Sequence, residues 1–140
     1  MLTPFHLAIG VQDLLAAKDF YHGLLGCSLG RRSDQWIDFN FFGHQLVCHQ
    51  VSAETPVDGH NEVDGETIPV PHFGVVLTLD AFDQLEERLR AAAVPFVVEP
   101  QVRFAGTSGE QRTFFVRDPA HNILEFKAFA DIEGSLFKVE

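Results

Sequence analysis

Two histidines and one glutamate carry the chemistry that this sequence offers. His6 lies in Pro4-Phe5-His6-Leu7-Ala8-Ile9-Gly10, and His72 in Pro71-His72-Phe73-Gly74-Val75-Val76-Leu77. Each run begins at a proline, holds one histidine among apolar residues and leads into an amphipathic helical pattern. The histidines are 66 positions apart (6 to 72) in 140 residues. That spacing suggests two similar modules, since a solenoid would show at least three shorter units. Glu125 sits between Leu124 and Phe126 in a late strand-like run. A single strand histidine is more often a hydrogen-bonded structural residue, and a lone mid-strand glutamate usually faces solvent. The conjunction is what points to a metal. Two histidines and a carboxylate, with the other positions open to water and substrate, form the facial set typical of non-haem Fe(II).

These residues need elements to position them. Residues 3–10 alternate, with Phe5, Leu7 and Ile9 on one face and His6, Ala8 and Gly10 on the other. Asp13 is expected to cap a helix near 13–25 that ends at Gly26. Strands are expected over 27–32 and 35–41, then a turn at Phe42-Gly43-His44 and a strand over 45–51. Residues 52–69 are polar and contain Pro56, Gly59, Gly65 and Pro69, which predicts a linker or loop. The order then repeats. A strand covers 71–79, and Asp80 caps a helix over 81–93 with apolar Phe82, Leu85, Leu89 and Ala92. Short strands at 95–99 and 102–105, a loop at 106–109, a strand at 111–117, a turn at 118–122 and a strand at 123–128 follow. Residues 129–140 form a tail with some helix. The expected fold is α+β: two paired βαβββ modules, about 3–51 and 70–128, forming a curled, cleft-bearing mixed sheet in one domain. Small residues beside each histidine (Ala8 and Gly10; Gly74) leave room on the cleft face for a ligand.

Composition narrows the function. Hydrophobic residues make up 46% of the chain, with 14 Phe, enough for a real core. The formal net charge is −10, which argues against nucleic acid, because phosphate binding needs clustered Lys and Arg. No apolar run approaches bilayer length, and no secretory signal is visible. Cys27 and Cys48 lack metal-type spacing, so a reduced, cytoplasmic protein is expected.

At these residues the chain resembles the vicinal oxygen chelate superfamily, which includes glyoxalase I, extradiol dioxygenases, fosfomycin-resistance enzymes and bleomycin-resistance proteins. The opening strand with His6 is similar to the family's first strand. Asp19-Phe20-Tyr21-His22-Gly23-Leu24-Leu25-Gly26 is similar to its helix-ending pattern, and Asp118-Pro119-Ala120-His121-Asn122-Ile123-Leu124-Glu125 to its turn and ligand strand, with His121 where glycine is usual. The resemblance covers about residues 3–128. It implies metal ligands at His6, His72 and Glu125, and aligns Val47 with a fourth ligand position. Valine cannot bind metal, so a glyoxalase-type isomerase is disfavoured against an Fe(II) extradiol dioxygenase acting on a catecholic or other vicinal-oxygen substrate. Mn(II), Zn(II) and Ni(II) are the other candidate metals. The alternatives are an isomerase or thiol transferase on the same scaffold, the latter weakened by only 10 Lys and Arg in all, or a non-enzymatic antibiotic-binding protein. His49, two residues past Val47, is a candidate for proton transfer, since imidazole titrates near neutral pH. Phe115, Arg103 and Trp36 are candidate cleft-lining residues, whereas Tyr21 is expected in the core. The resemblance further implies a small-molecule substrate and a homodimer.

Overall fold

The computed structural model describes residues 2–52, 59–63 and 66–139. The chain divides into two compact units: residues 1–56 with 118–122, and residues 57–117 with 123–140. The division falls inside the stretch expected as linker.

In the first unit, β1 (His6–Val11), β2 (Ser28–Arg32), β3 (Trp36–Phe41) and β4 (His44–Gln50) form one sheet in the order β1-β4-β3-β2. β1 runs parallel to β4, and the other pairs are antiparallel. The β3–β4 hairpin turns at Phe42 and Gly43, both at positive φ (53° and 90°). Glycine adopts that conformation freely and suits a two-residue hairpin. Asp13 caps α1 (Leu14–Lys18), its Oδ1 accepting from the Leu15 and Ala16 amides. The single helix expected over 13–25 instead widens into a π-helical stretch over Asp19–Leu24. The wider turn lets the adjacent Phe20 and Tyr21 both bury against the sheet. Tyr21 packs on Phe39 and Phe41 at centroid distances of 5.4 and 6.3 Å. Its hydroxyl donates to Asp118 Oδ2 at 2.7 Å. Burial, reinforced by the Asp118 carboxylate, pushes that hydroxyl well above its ordinary range, so it remains a donor. Phe5, expected in the opening strand on the face of Leu7 and Ile9, precedes β1 and is exposed.

The second unit repeats the order. β7 (Phe73–Leu77), β8 (Phe96–Arg103), β9 (Gln111–Arg117) and β10 (Ile123–Ala128) form a sheet ordered β7-β10-β9-β8, with β7 parallel to β10. α2 (Leu79–Ala91) buries Phe82, Leu85 and Leu89. Phe82 lies 4.9 Å from Phe114, which also meets Phe96 and Phe126. The helix cap is Thr78, whose Oγ1 accepts from the Ala81 amide, and not Asp80, which lies in the first turn. The two short strands expected at 95–99 and 102–105 are one strand, β8. Its register shifts between Phe96 and Val98 and again between Val98 and Gln101, so irregular pairing absorbs Pro100. The expected linker also contains structure: β5 (Gly59–Val63) pairs antiparallel with β6 (Glu66–Val70). Ile68 is buried there, an anchor that the polar composition concealed. The rest of that expectation, 53–58 and 64–65, lies outside the described residues. The tail carries a short α3 (Ile132–Ser135).

Candidate metal centre

The two sheets place equivalent residues on equivalent rungs. In the first, Ala8 pairs with Val47 and Val47 with Asp38. In the second, Gly74 pairs with Glu125 and Glu125 with Phe115. Leu124 and Phe126 point into the core and are fully buried, which turns Glu125 to the opposite face. A Cβ on Gly74 would overlap the backbone carbonyl oxygen of Glu125. Glycine at 74 is therefore a condition for β7 to approach β10 this closely.

The structure sets His72 beside Glu125. His72 Nε2 lies 3.1 Å from Glu125 Oε1. His72 Nδ1–H donates to the Pro69 carbonyl at 2.7 Å, which fixes the ring, and the ring edge meets Phe115 at 5.0 Å. Glu125 Oε2 accepts from Thr113 Oγ1 at 2.5 Å. Glu125 is 8% exposed. Burial alone would raise its pKa, but hydrogen bonds from His72 and Thr113 outweigh that and hold it below the usual carboxylate range. The hydrogen bond to Glu125 raises His72 against its own burial. The donors suit a divalent metal. Two donors bound at right angles at roughly 2.0–2.2 Å lie roughly 3 Å apart. The Pro69 carbonyl leaves Nε2 as the ring nitrogen turned to Glu125, the usual outer-shell arrangement of a metal-binding histidine.

His6 belongs to the first unit, at the start of β1, where its Nδ1 meets Gln45 Oε1 at 2.9 Å. Among the described residues, no group of three or more His, Cys, Asp and Glu is arranged to hold a metal ion. His49 is exposed near the end of β4, two residues past Val47 on the same face, paired with Gly10 and half-buried Trp36. Of the other candidate cleft residues, Phe115 and Arg103 are buried in the second unit. Arg103 pairs with Gln111, which puts it on the Glu125 face of the sheet. His44 accepts the Phe5 amide, and His121 lies exposed in the 118–122 turn. His60 falls in β5, its side chain outside the described residues. Cys27 and Cys48 are buried and not joined in a disulfide, and burial pushes the Cys48 thiol up to about 12. Sequence reasoning missed Thr113. Its signal was available: in Thr113-Phe114-Phe115 it shares the parity of Phe115, which faces Glu125 across the rung.

Comparison with known proteins agrees with this architecture. The model of the glyoxalase/bleomycin resistance protein/dioxygenase superfamily matches residues 3–126. A glyoxalase/bleomycin resistance protein/dioxygenase from Alicyclobacillus acidocaldarius is similar at 38% identity over 94% of each chain, with a TM-score of 0.77. A lactoylglutathione lyase from Agrobacterium tumefaciens shares the fold at 20% identity, covering 98% of this chain and 97% of its own, with a TM-score of 0.67. A genomically encoded fosfomycin resistance protein from Listeria monocytogenes does so at 18%, covering 96% and 99%, with a TM-score of 0.68. No curated protein matches the chain. The repeated sheet order and the family match over nearly the whole chain lead to one assignment: the chain belongs to the glyoxalase/bleomycin resistance protein/dioxygenase superfamily.

Proposed function

We propose that the protein is a metal-dependent enzyme acting on a small molecule with two neighbouring oxygens, by Fe(II) extradiol-type dioxygenation. His6, His72 and Glu125 are the proposed ligands. The observation that carries the reading is the His72–Glu125 pair, with donor atoms 3.1 Å apart and the far side of each group tied down, by Pro69 and Thr113. Val47, on the rung equivalent to Glu125, limits the set to three protein ligands. A metal held by these residues would bind the substrate oxygens and O₂ and let electrons pass between them. The chain's own part is to orient and to move protons. Thr113 holds the carboxylate and Phe115 walls the histidine. His49 is the proposed acceptor of a phenolic proton, being an exposed imidazole on the Val47 face. Two buried cysteines not joined in a disulfide support a reducing, cytoplasmic setting, and the family resemblance supports a homodimer.

A second reading has one observation in its favour. Arg103, 3% exposed, and Lys127 share the sheet face of Glu125. Two cations there suit an anionic substrate, as in a metal-assisted isomerase or thiol transferase with no redox change.

Metal content of protein purified without oxygen tests the site. Wild type should hold stoichiometric divalent metal, and His6→Ala, His72→Ala and Glu125→Ala should each lose most of it. Undiminished metal in all three sinks the site. Oxygen uptake on a panel of catechols, giving yellow ring-opened product, tests the reaction. Turnover of a methylglyoxal–glutathione hemithioacetal with Ni(II) or Zn(II), and no oxygen uptake, replaces it with the isomerase. His49→Ala should abolish turnover with metal content and melting temperature unchanged.

A further inference from the structure

We propose that Gln45 and Asp38 are positioning residues that lock His6 as its Nδ1–H tautomer, so that Nε2 is the nitrogen it presents to a ligand. The role in metal binding rests on the reading above; the tautomer does not.

One chain of hydrogen bonds within the first unit sets the tautomer. Gln45 Nε2 lies 3.3 Å from Asp38 Oδ2, and Gln45 Oε1 lies 2.9 Å from His6 Nδ1. An ionised carboxylate only accepts, so the amide turns its NH₂ toward Asp38. The amide oxygen then faces His6. A carbonyl oxygen also only accepts, so His6 Nδ1 must carry the proton, and Nε2 keeps its lone pair when the ring is neutral. The state of one ring nitrogen is thus dictated from two residues away.

The sheet builds this relay. His6 pairs directly with Gln45 across the parallel β1–β4 ladder, so both side chains leave on one face. Asp38 lies on the adjoining antiparallel strand opposite Val47, two residues along β4 from Gln45, within reach of a long amide. A Cβ on Gly30 would come 3.0 Å from the Asp38 Cβ, so glycine in β2 keeps that carboxylate uncrowded. The second unit reaches the same tautomer by other means, since there the Nδ1 acceptor is the Pro69 backbone carbonyl. A backbone acceptor cannot be mutated away; a glutamine held by an aspartate can.

The test uses ¹⁵N imidazole NMR on the metal-free full chain, at a pH where the ring is neutral. Wild-type His6 should show a protonated Nδ1 and a lone-pair Nε2. Gln45→Ala and Asp38→Asn should each lose that preference. The double variant Asp38→Asn with Gln45→Glu should restore it, because the introduced carboxylate accepts from both the His6 Nδ1–H and the introduced amide. Gln45 is exposed and Asp38 only half-buried, so the fold should survive, with melting temperature as the check. A wild-type His6 protonated on Nε2, or a tautomer unmoved in both single variants, overturns the proposal. In parallel, Mn(II) affinity should fall about 10- to 100-fold in Asp38→Asn and recover in the double variant. A wild type that shows the expected tautomer yet binds no Mn(II), Fe(II) or Zn(II) upholds the lock and overturns the metal site instead.

Discussion

Rung for rung, Ala8, Val47 and Asp38 of the first unit occupy the places that Gly74, Glu125 and Phe115 hold in the second. Strand order and directions are the same; the side chains on the rung are not. The second unit buries a carboxylate there and surrounds it with donors. The first places an aliphatic side chain there, and its polar contacts run from Asp38 on that rung to Gln45 and His6, two residues along. The sheet needs only the alternation, which both rungs respect. The chemistry is carried by what each rung displays, so two copies of one topology can take unlike halves of a task.

The two units should differ most at Gly74, where β7 and β10 approach most closely. Gly74→Ala should cost about 4 kcal/mol or more, or unfold the second unit, because the new methyl meets backbone that cannot swing aside. Ala8→Gly on the equivalent rung should cost only about 1 kcal/mol. Chemical denaturation of both variants measures the contrast, and equal losses would refute it. Next, Val47→Glu copies the second unit's residue into the first. It places a buried carboxylate opposite Asp38 with no threonine to receive it, and should destabilise by about 3 kcal/mol. Thr113→Val removes a hydroxyl from a buried, charged acceptor of similar shape. It should cost about 2 kcal/mol by denaturation.

The pH dependence of the metal-free protein sharpens the contrast. His72 is raised, so its contribution is complete below the ordinary imidazole range and is lost as pH rises through the raised value. Glu125 is lowered, so its contribution is complete above the ordinary carboxyl range and is lost as pH falls through the lowered value. The stability gap between wild type and Glu125→Gln should therefore be widest at roughly pH 5–6 and close on either side. Melting temperatures across pH 3–9 measure it; a gap independent of pH contradicts the pairing. The smallest effect is expected where the first unit's two turns differ. Gly43 carries positive φ without strain, whereas His121 adopts φ of 70° with a side chain. His121→Gly should stabilise by at most about 1 kcal/mol, seen as a small rise in melting temperature.

Where local signals agreed, the sequence was readable. β9 and β10 fall at the expected residues because the Asp118-Pro119-Ala120-His121-Asn122 turn chemistry and the flanking alternation agree. Asp118 Oδ1 accepts from the Ala120 and Asn122 amides, which closes that turn. The α2 cap was misplaced because Thr78 and Asp80 are both good capping residues two positions apart, and only backbone geometry chooses between them. The β5–β6 hairpin was hidden because a polar strand anchored at Ile68 has no periodic apolar face to detect. At the candidate site, repeat and parity singled out His6, His72 and Glu125, and the structure sets two of them, His72 and Glu125, side by side. Pro69, Gln45 and Thr113 were not singled out, because their parts depend on register and backbone direction, which residue types do not encode.

Tyr21 and Asp118 are 97 residues apart, and Asn122 Nδ2 reaches the Gly10 carbonyl at 3.1 Å across 112. The segment 118–122 thus belongs to the compact unit formed by the chain's beginning. On a ribosome this has a temporal meaning. At about 5–20 residues per second, several seconds separate the emergence of Tyr21 from that of its acceptor. Throughout that interval the phenol on the first helix has no Asp118, and the first unit waits, unfinished, for nearly the last strand to be made.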